Sequence, residues 1–186
     1  MKRSFDVIFS LIFSLIFFIP ILIVAILIKA TSPGPVIFWS DRVGQNNKIF
    51  KMPKFRTMRV ETPNVATHLL QNPNLYQTKI GPILRKLSLD EIPQLLSIFK
   101  GDMSLVGPRP ALYNQADLIE LRTKVDVHKL FPGVTGWAQI NGRDEISIPE
   151  KVGYDEYYLH NQSGLFDIKI VLLTILKVFK MQGISH

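Results

Sequence analysis

The amino-acid sequence predicts an α+β fold that is mostly α, a small domain with one short β-hairpin seated on an N-terminal membrane segment. Three observations predict it. From Val7 to Ile28 the chain carries no charge, and about 20 consecutive apolar residues are enough to cross a bilayer. Val36–Trp39 and Lys48–Met52 flank Gly44-Gln45-Asn46-Asn47, which is the pattern of two strands around a turn. Several later stretches repeat apolar residues at helical spacing. A length of 186 residues suits one compact domain plus an anchor. The expected boundaries are 1–30 for the anchor helix and 31–186 for the domain.

The anchor comes first. Lys2, Arg3 and Asp6 precede the apolar run, and Lys29 closes it. Ile28-Lys29-Ala30 offers no small-x-small cleavage site, so the segment is expected to stay on the protein. Pro20 lies inside the run. It lacks an N–H and its ring crowds the carbonyl of Ile16, so it should kink or break the helix. Lys2 and Arg3 stand on one flank, with Lys29, Arg42, Lys48 and Lys51 on the other. The positive-inside rule keeps both flanks cytoplasmic, which fits a hairpin that enters and leaves by one face. A single span with a tolerated proline accounts for the same residues, and the sequence leaves both topologies open.

Thr31-Ser32-Pro33-Gly34-Pro35 reads as the linker between anchor and domain. Residues 61–82, rich in Pro, Asn, Gln and Thr, read as a loop with broken helical turns. Ala111 to Leu130 predicts an amphipathic helix and Glu150 to His160 a shorter one. Asp167 to Met181 is strongly apolar, with Lys169, Leu173, Lys177 and Lys180 on one helical face. Such a helix can lie in the membrane interface with lysines among headgroups. A core helix with a solvated lysine edge has the same pattern.

The net charge of +7 calls for acidic partners. The apolar N-terminus favours membrane lipid, and no basic-aromatic or DNA-reading pattern points to nucleic acid. The chain has no cysteine, which excludes disulfides and thiolate metal sites. His68, His128, His160 and His186 are scattered without metal-ligand spacing.

The segment Gly81 to Gln94 is densest in chemistry. Ser88 and Glu91 have capping-box spacing, and Pro93 is tolerated only in a helical first turn. A short helix should therefore start near Asp90, turn Leu95, Leu96, Ile98 and Phe99 inward, and stop at Lys100-Gly101. Asp90 and Glu91 would sit at its positive end, which favours ionised carboxylates. Adjacent helical residues point about 100° apart, so the two should divide labour, one as nucleophile and the other as a ligand to Mg²⁺. Acidic residues also cap first turns with no further role. Lys54-Phe55-Arg56-Thr57-Met58-Arg59 and Arg85-Lys86 surround the pair with positive charge. Arg109, locked between Pro108 and Pro110, presents a planar fork suited to phosphate. Pro132 to Trp137 is a glycine-rich turn that can hold phosphate or a base, followed by Asn141-Gly142-Arg143. No Walker loop, Gly-x-Gly-x-x-Gly fingerprint or Gly-x-Ser-x-Gly elbow is present. Phosphoryl chemistry on a lipid-linked substrate is the chemistry that remains. A non-catalytic monotopic lipid-binding protein and a membrane phosphohydrolase are the rival readings.

Lys54–Met58, Leu84–Lys86, Ser88–Gln94, Lys100–Pro110, Pro132–Gln139 and Asn141–Arg143, with the late Asp167, resemble the bacterial sugar transferase family of polyprenyl-phosphate phosphoglycosyl transferases. The chain resembles its minimal, monotopic form. The resemblance implies a re-entrant helix broken at Pro20, on the cytoplasmic face of the bacterial inner membrane. It implies transfer of a sugar phosphate from a UDP-sugar to undecaprenyl phosphate by a ping-pong route. Asp90 would be the nucleophile and Glu91 the Mg²⁺ ligand. Lys54, Arg56, Arg85, Arg109 and Arg143 would contact phosphate. In size the chain resembles the enzyme that begins bacterial N-linked protein glycosylation. That adds UDP-diacetylbacillosamine to donors such as UDP-N-acetylglucosamine and UDP-galactose, among which the sequence does not choose.

Overall fold

The computed structural model describes residues 2–63, 72–142 and 146–180. Helices dominate, and two strand pairs complete an α+β fold. The N-terminal run forms two helices, α1 (Lys2–Ile16) and α2 (Phe18–Thr31), bent by 61°. The break falls at Phe17, which leaves helical geometry at φ −90°, ψ 6°. Pro20 therefore sits in the first turn of α2, where a missing N–H costs nothing. Among the described residues no single helix is long and apolar enough to cross a membrane, and this bent pair has the length and composition only when its two helices are taken together.

Both ends of the pair are tied to the domain. Lys2 donates to Asp167 Oδ2 at 2.7 Å, to the Tyr158 hydroxyl at 3.0 Å and to the Val106 carbonyl at 3.1 Å. Asp6, buried, accepts from Ser104 Oγ at 2.9 Å and from the Leu105 N–H at 3.0 Å. Arg3 reaches the carbonyls of Ile98 and Phe99, the last turn of a helix. At the other end the Arg56 guanidinium donates to the Ser32 carbonyl at 3.1 Å, the Ser32 hydroxyl at 2.8 Å and the Pro33 carbonyl. Lys2 and Arg3, read from charge alone as membrane flanks, are docking residues.

β1 (Ile37–Val43) and β2 (Ile49–Phe55) form the expected antiparallel hairpin. A short 3-10 turn at Gln45–Asn47 joins them, with Asn46 and Asn47 at positive φ. Pro73–Tyr76 is a further 3-10 turn, and α3 (Gly81–Lys86) follows; the part of the expected loop at 64–71 lies outside the described residues. A 3-10 turn at Leu89–Gln94 runs into α4 (Leu95–Lys100), stopped at Gly101 with φ +90°. Leu95 and Ile98 are buried as expected, whereas Leu96 and Phe99 are exposed. So short a helix buries only one flank against its neighbours.

β3 (Ser104–Val106) pairs in parallel with β4 (Gly133–Thr135). The glycine-rich turn is thus a strand. A Cβ on Gly133 would stand 2.1 Å from the Gly107 nitrogen, and one on Gly136 would stand 2.1 Å from the Gly107 oxygen. The glycines serve close backbone approach rather than an anion nest. The helix expected over Ala111–Leu130 is only α5 (Ala116–Lys124). Val43 donates to the Ala111 carbonyl at 2.9 Å, and Leu112 bridges Arg42, so the hairpin claims that stretch. Past α5, Asp126 takes φ 61°. α6 (Trp137–Ile140), α7 (Ile148–Asn161) and α8 (Gly164–Lys180) complete the chain as described.

The capping box expected at Ser88 and Glu91 is absent, because Ser88 is left-handed and makes no capping bond. Ser147 and Glu150 form one instead, at the start of α7. The main core gathers Met52, Ile98, Met103, Val106, Tyr158 and Ile170 beneath α1. The outer faces of α1 and α2 remain apolar and exposed, with Leu15, Ile19 and Ile26 each more than 60% accessible. On α8, Leu165, Ile168, Leu172 and Leu176 form an exposed outer stripe. Contiguous apolar surface of this extent marks a contact with membrane or protein.

Candidate active site

The 3-10 turn at Leu89–Gln94 carries Asp90 and Glu91, and it packs on β2. Leu89 and Ile92 pin it between two apolar clusters. Ser88, at φ 54°, holds a conformation that side chains other than glycine seldom adopt. It reverses the chain after α3 and sets the two acids beside the hairpin.

Glu91 sits in a clamp. Its Oε1 accepts from Lys54 Nζ at 2.9 Å and from Arg109 Nη2 at 2.7 Å, and its Oε2 accepts from Arg109 Nη1 at 3.4 Å. All three side chains are at most about a quarter accessible. Two-point pairing of this kind orients a guanidinium as well as binding it. Asp90 is 8% accessible. Burial pushes its carboxyl above the usual range, and Glu91 adds to this, while Lys54, Arg85 and Arg109 pull the other way. Burial likewise lowers the Lys54 ammonium, against the opposing pull of Glu91. Arg85, on the last turn of α3, donates from Nε to Thr57 Oγ1 at 3.0 Å. Its charge also acts on Asp90.

Arg109 is held from behind. Its carbonyl accepts from Arg122 Nη1 at 2.8 Å, and Arg122 donates to Asp155 Oδ2 from Nε at 3.0 Å and from Nη2 at 2.6 Å. Arg122 and Asp155 are both buried. Arg42 donates to the next carbonyl, Pro110 O, at 3.2 Å.

Of the residues picked from sequence, Asp90, Glu91, Lys54, Arg85 and Arg109 come together. Arg56 does not. It is 4% accessible and is turned towards Ser32 and Pro33, where it fastens the end of α2. Arg143 lies outside the described residues. Pro20 belongs to the bent helix pair, and Asp167 receives Lys2 and the Tyr158 hydroxyl, the latter at 2.6 Å. Burial and Asp167 hold that phenol protonated, its pKa raised.

A cavity of about 640 Å³ adjoins the clamp. Phe13 and Phe17 from the helix break wall one side, and Val171, Ile175 and Val178 from α8 the other. Ser88, Glu91 and Arg109 form its polar end, with Lys177 also on the wall. Asp90 is not on this wall, although its neighbour Glu91 is. Arg122 and Asp155 carry no local signature, because α5 and α7 bring them in separately, and Lys177, read from sequence as part of a lysine face, lines the cavity instead. Among the described residues no three His, Cys, Asp or Glu side chains converge to hold a metal.

Comparison with known proteins gives a consistent picture. The family model described as bacterial sugar transferase matches residues 1–181. The chain is 41% identical over its full length to EpsL of Bacillus subtilis, an uncharacterized sugar transferase, and covers 91% of it. It is 42% identical, over 96% of its length, to the Escherichia coli UDP-glucose:undecaprenyl-phosphate glucose-1-phosphate transferase, and covers 40% of that protein. A UDP-N-acetylgalactosamine-undecaprenyl-phosphate N-acetylgalactosaminephosphotransferase of Aeromonas hydrophila is 37% identical over 94% of the chain, which covers 43% of it.

Proposed function

Because this chain belongs to the bacterial sugar transferase family, we propose that it transfers a sugar phosphate from a UDP-sugar to undecaprenyl phosphate through a phospho-sugar held on Asp90. An Asp90 oxygen attacks the phosphorus that bears the sugar. The bond from that phosphorus to the bridging oxygen breaks, and UMP leaves with the oxygen. A phosphate oxygen of the polyprenyl phosphate then attacks the same phosphorus and displaces Asp90, giving the lipid diphosphate sugar. No proton needs to move in either step.

The observation that carries this reading is one buried carboxylate, Asp90, within the field of Lys54, Arg85 and Arg109. Three cations beside a carboxylate nucleophile offset the charge of a diphosphate and of the phosphorane-like transition state. Glu91 orients Lys54 and Arg109 towards that charge. Glu91, a hard-oxygen carboxylate beside the proposed nucleophile, is the residue that would hold Mg²⁺. Mg²⁺ usually takes one or two carboxylates and completes its shell with water and substrate phosphates. When bound, it neutralises charge on the diphosphate as UMP leaves.

The anchor reading is that α1 and α2 enter and leave the cytoplasmic face of the inner membrane by the same side. It is supported by the 61° bend and by attachment of both ends, through Lys2 and Arg56, to one domain.

The test is UMP release from a panel of UDP-sugars with Mg²⁺, the polyprenyl phosphate at first withheld. About one UMP per enzyme, then turnover on adding lipid, is the expected result, and it also names the sugar. No UMP from any donor even with lipid would favour the lipid-binding reading. Free sugar phosphate without lipid would favour a phosphohydrolase.

A further inference from the structure

Among the described residues, two cations line the cavity, Arg109 and Lys177. Arg109 belongs to the Glu91 clamp. Lys177 extends from α8, half-buried, and its ammonium donates to the Ile140 carbonyl at the end of α6, also on the cavity wall. Along one face of α8 exposure falls from Lys169, which is exposed, to Leu173 and Lys177, which are half-buried. Lys169 lies 5.7 Å from the centre of the Trp137 ring, and Leu173 packs on the core. The outer stripe of Leu165, Ile168, Leu172 and Leu176 is apolar and exposed. An ammonium drawn off the solvated edge, among Phe13, Phe17, Val171 and Ile175, loses hydration that a neutral carbonyl does not replace. That carbonyl takes one of its three donors. An anion in the cavity would complete it.

We propose that Lys177 is a phosphate-binding residue, and that the cavity takes a phosphorylated amphiphile whose head lies between Lys177 and Arg109 while its hydrocarbon runs along Phe13 and Phe17 towards the helix break. A volume of about 640 Å³ is in the range of small-molecule sites. Asp90 stands off this wall but shares Arg109 with it, so a head group there adjoins the nucleophile without occupying its place. The chemistry recognised is phosphate. Its source, the lipid acceptor or the donor's diphosphate, rests on the function proposed above.

The experiment uses the full chain in detergent micelles, as wild type, Lys177→Met and Lys177→Arg. Binding of a radiolabelled short polyprenyl phosphate, and of the uncharged polyprenol, is measured at equilibrium without donor. The UMP burst is measured without lipid. Lys177→Met should weaken polyprenyl phosphate binding about ten- to a hundredfold, the usual loss of one charged hydrogen bond. Polyprenol binding and the melting temperature should be unchanged, and Lys177→Arg should restore the affinity. A loss confined to donor dependence of the burst supports the phosphate role but assigns it to the nucleotide. Equal phosphate affinity and equal burst in Lys177→Met overturn the proposal, as does an equal loss for polyprenol. A wild type that binds through Lys177 yet releases no UMP keeps Lys177 and sinks the transferase reading.

Discussion

Removing Asp155 should damage a site it never touches. The Arg122–Asp155 pair is buried, with contacts at 3.0 and 2.6 Å, and its guanidinium also holds the Arg109 carbonyl at 2.8 Å. Asp155→Ala strands a buried cation, and breaking such a pair costs about 3–5 kcal/mol. At about 2–4 °C per kcal/mol for a chain of this size, melting should fall by roughly 6–20 °C. Replacing both partners with apolar groups of similar bulk, Arg122→Met with Asp155→Leu, removes both charges and should recover most of that loss. The Arg109 carbonyl would still lack its donor, leaving a deficit of about 1–3 kcal/mol. Activity should not recover. Arg109 would drift from Glu91, and a misplacement of about 1 Å can cost about a hundredfold in rate. Thermal unfolding in micelles and kcat/KM for UMP release provide the two readouts. A double variant with wild-type kcat/KM would refute the positioning role, and an Asp155→Ala protein that melts with the wild type would refute the energetics.

Three further outcomes are expected. Asp90→Asn should abolish UMP release while the protein stays folded. Because burial raises the Asp90 pKa in the folded state, the ionised form costs stability as pH rises through that value. The variant should therefore melt above wild type at neutral and alkaline pH and lose the advantage in acid; a lower melting point at pH 8 would contradict this. Attack needs the ionised carboxylate, so the UMP burst should fall on the acid side. Lys54→Met should move that limb to higher pH and Glu91→Gln to lower pH, and the Glu91 variant should depend less on Mg²⁺. An unmoved limb in both would remove Asp90 from the titration. Gly133→Ala, whose new methyl would meet the Gly107 nitrogen at 2.1 Å and the Thr135 oxygen at 2.4 Å, should lower stability by about 1–3 kcal/mol or more. A wild-type urea midpoint would show that the β3–β4 approach has slack.

Local chemistry was largely legible in the sequence. The hairpin was announced by its turn and alternation, and α7 by its helical periodicity. Pro20 announced the broken helix, although the break itself falls three residues earlier, at Phe17, where the chain yields to the coming ring. Asp90, Glu91 and Arg109 stood out because carboxylates and a proline-locked arginine are conspicuous at short range. What the sequence concealed was assignment of partners. Arg56 looks like a phosphate ligand beside Lys54, yet its guanidinium fastens Ser32 and Pro33. Ser88 and Glu91 have the spacing of a cap, but Glu91 finds two cations and Ser88 turns left-handed. The glycines after Pro132 read as a flexible turn, and only the opposing Gly107 backbone reveals why side chains are excluded. Charge pairing over long sequence separation has no local signature.

The bond between Lys2 and Asp167 spans 165 positions, which has a consequence for biosynthesis. At about 5–20 residues per second, α1 leaves the ribosome roughly 8–33 s before the carboxylate that receives its first lysine. Asp6 can meet Ser104 and Leu105, and Lys2 the Val106 carbonyl, well before then, but until α8 emerges Lys2 lacks its ion-pair partner and the cavity lacks the wall that Val171, Ile175 and Val178 supply. The helix pair can therefore dock on α4 and β3 early, while the cavity stays open on one side until α8 arrives. A ribosome stalled within α8 should hold a protein already at the membrane but still open.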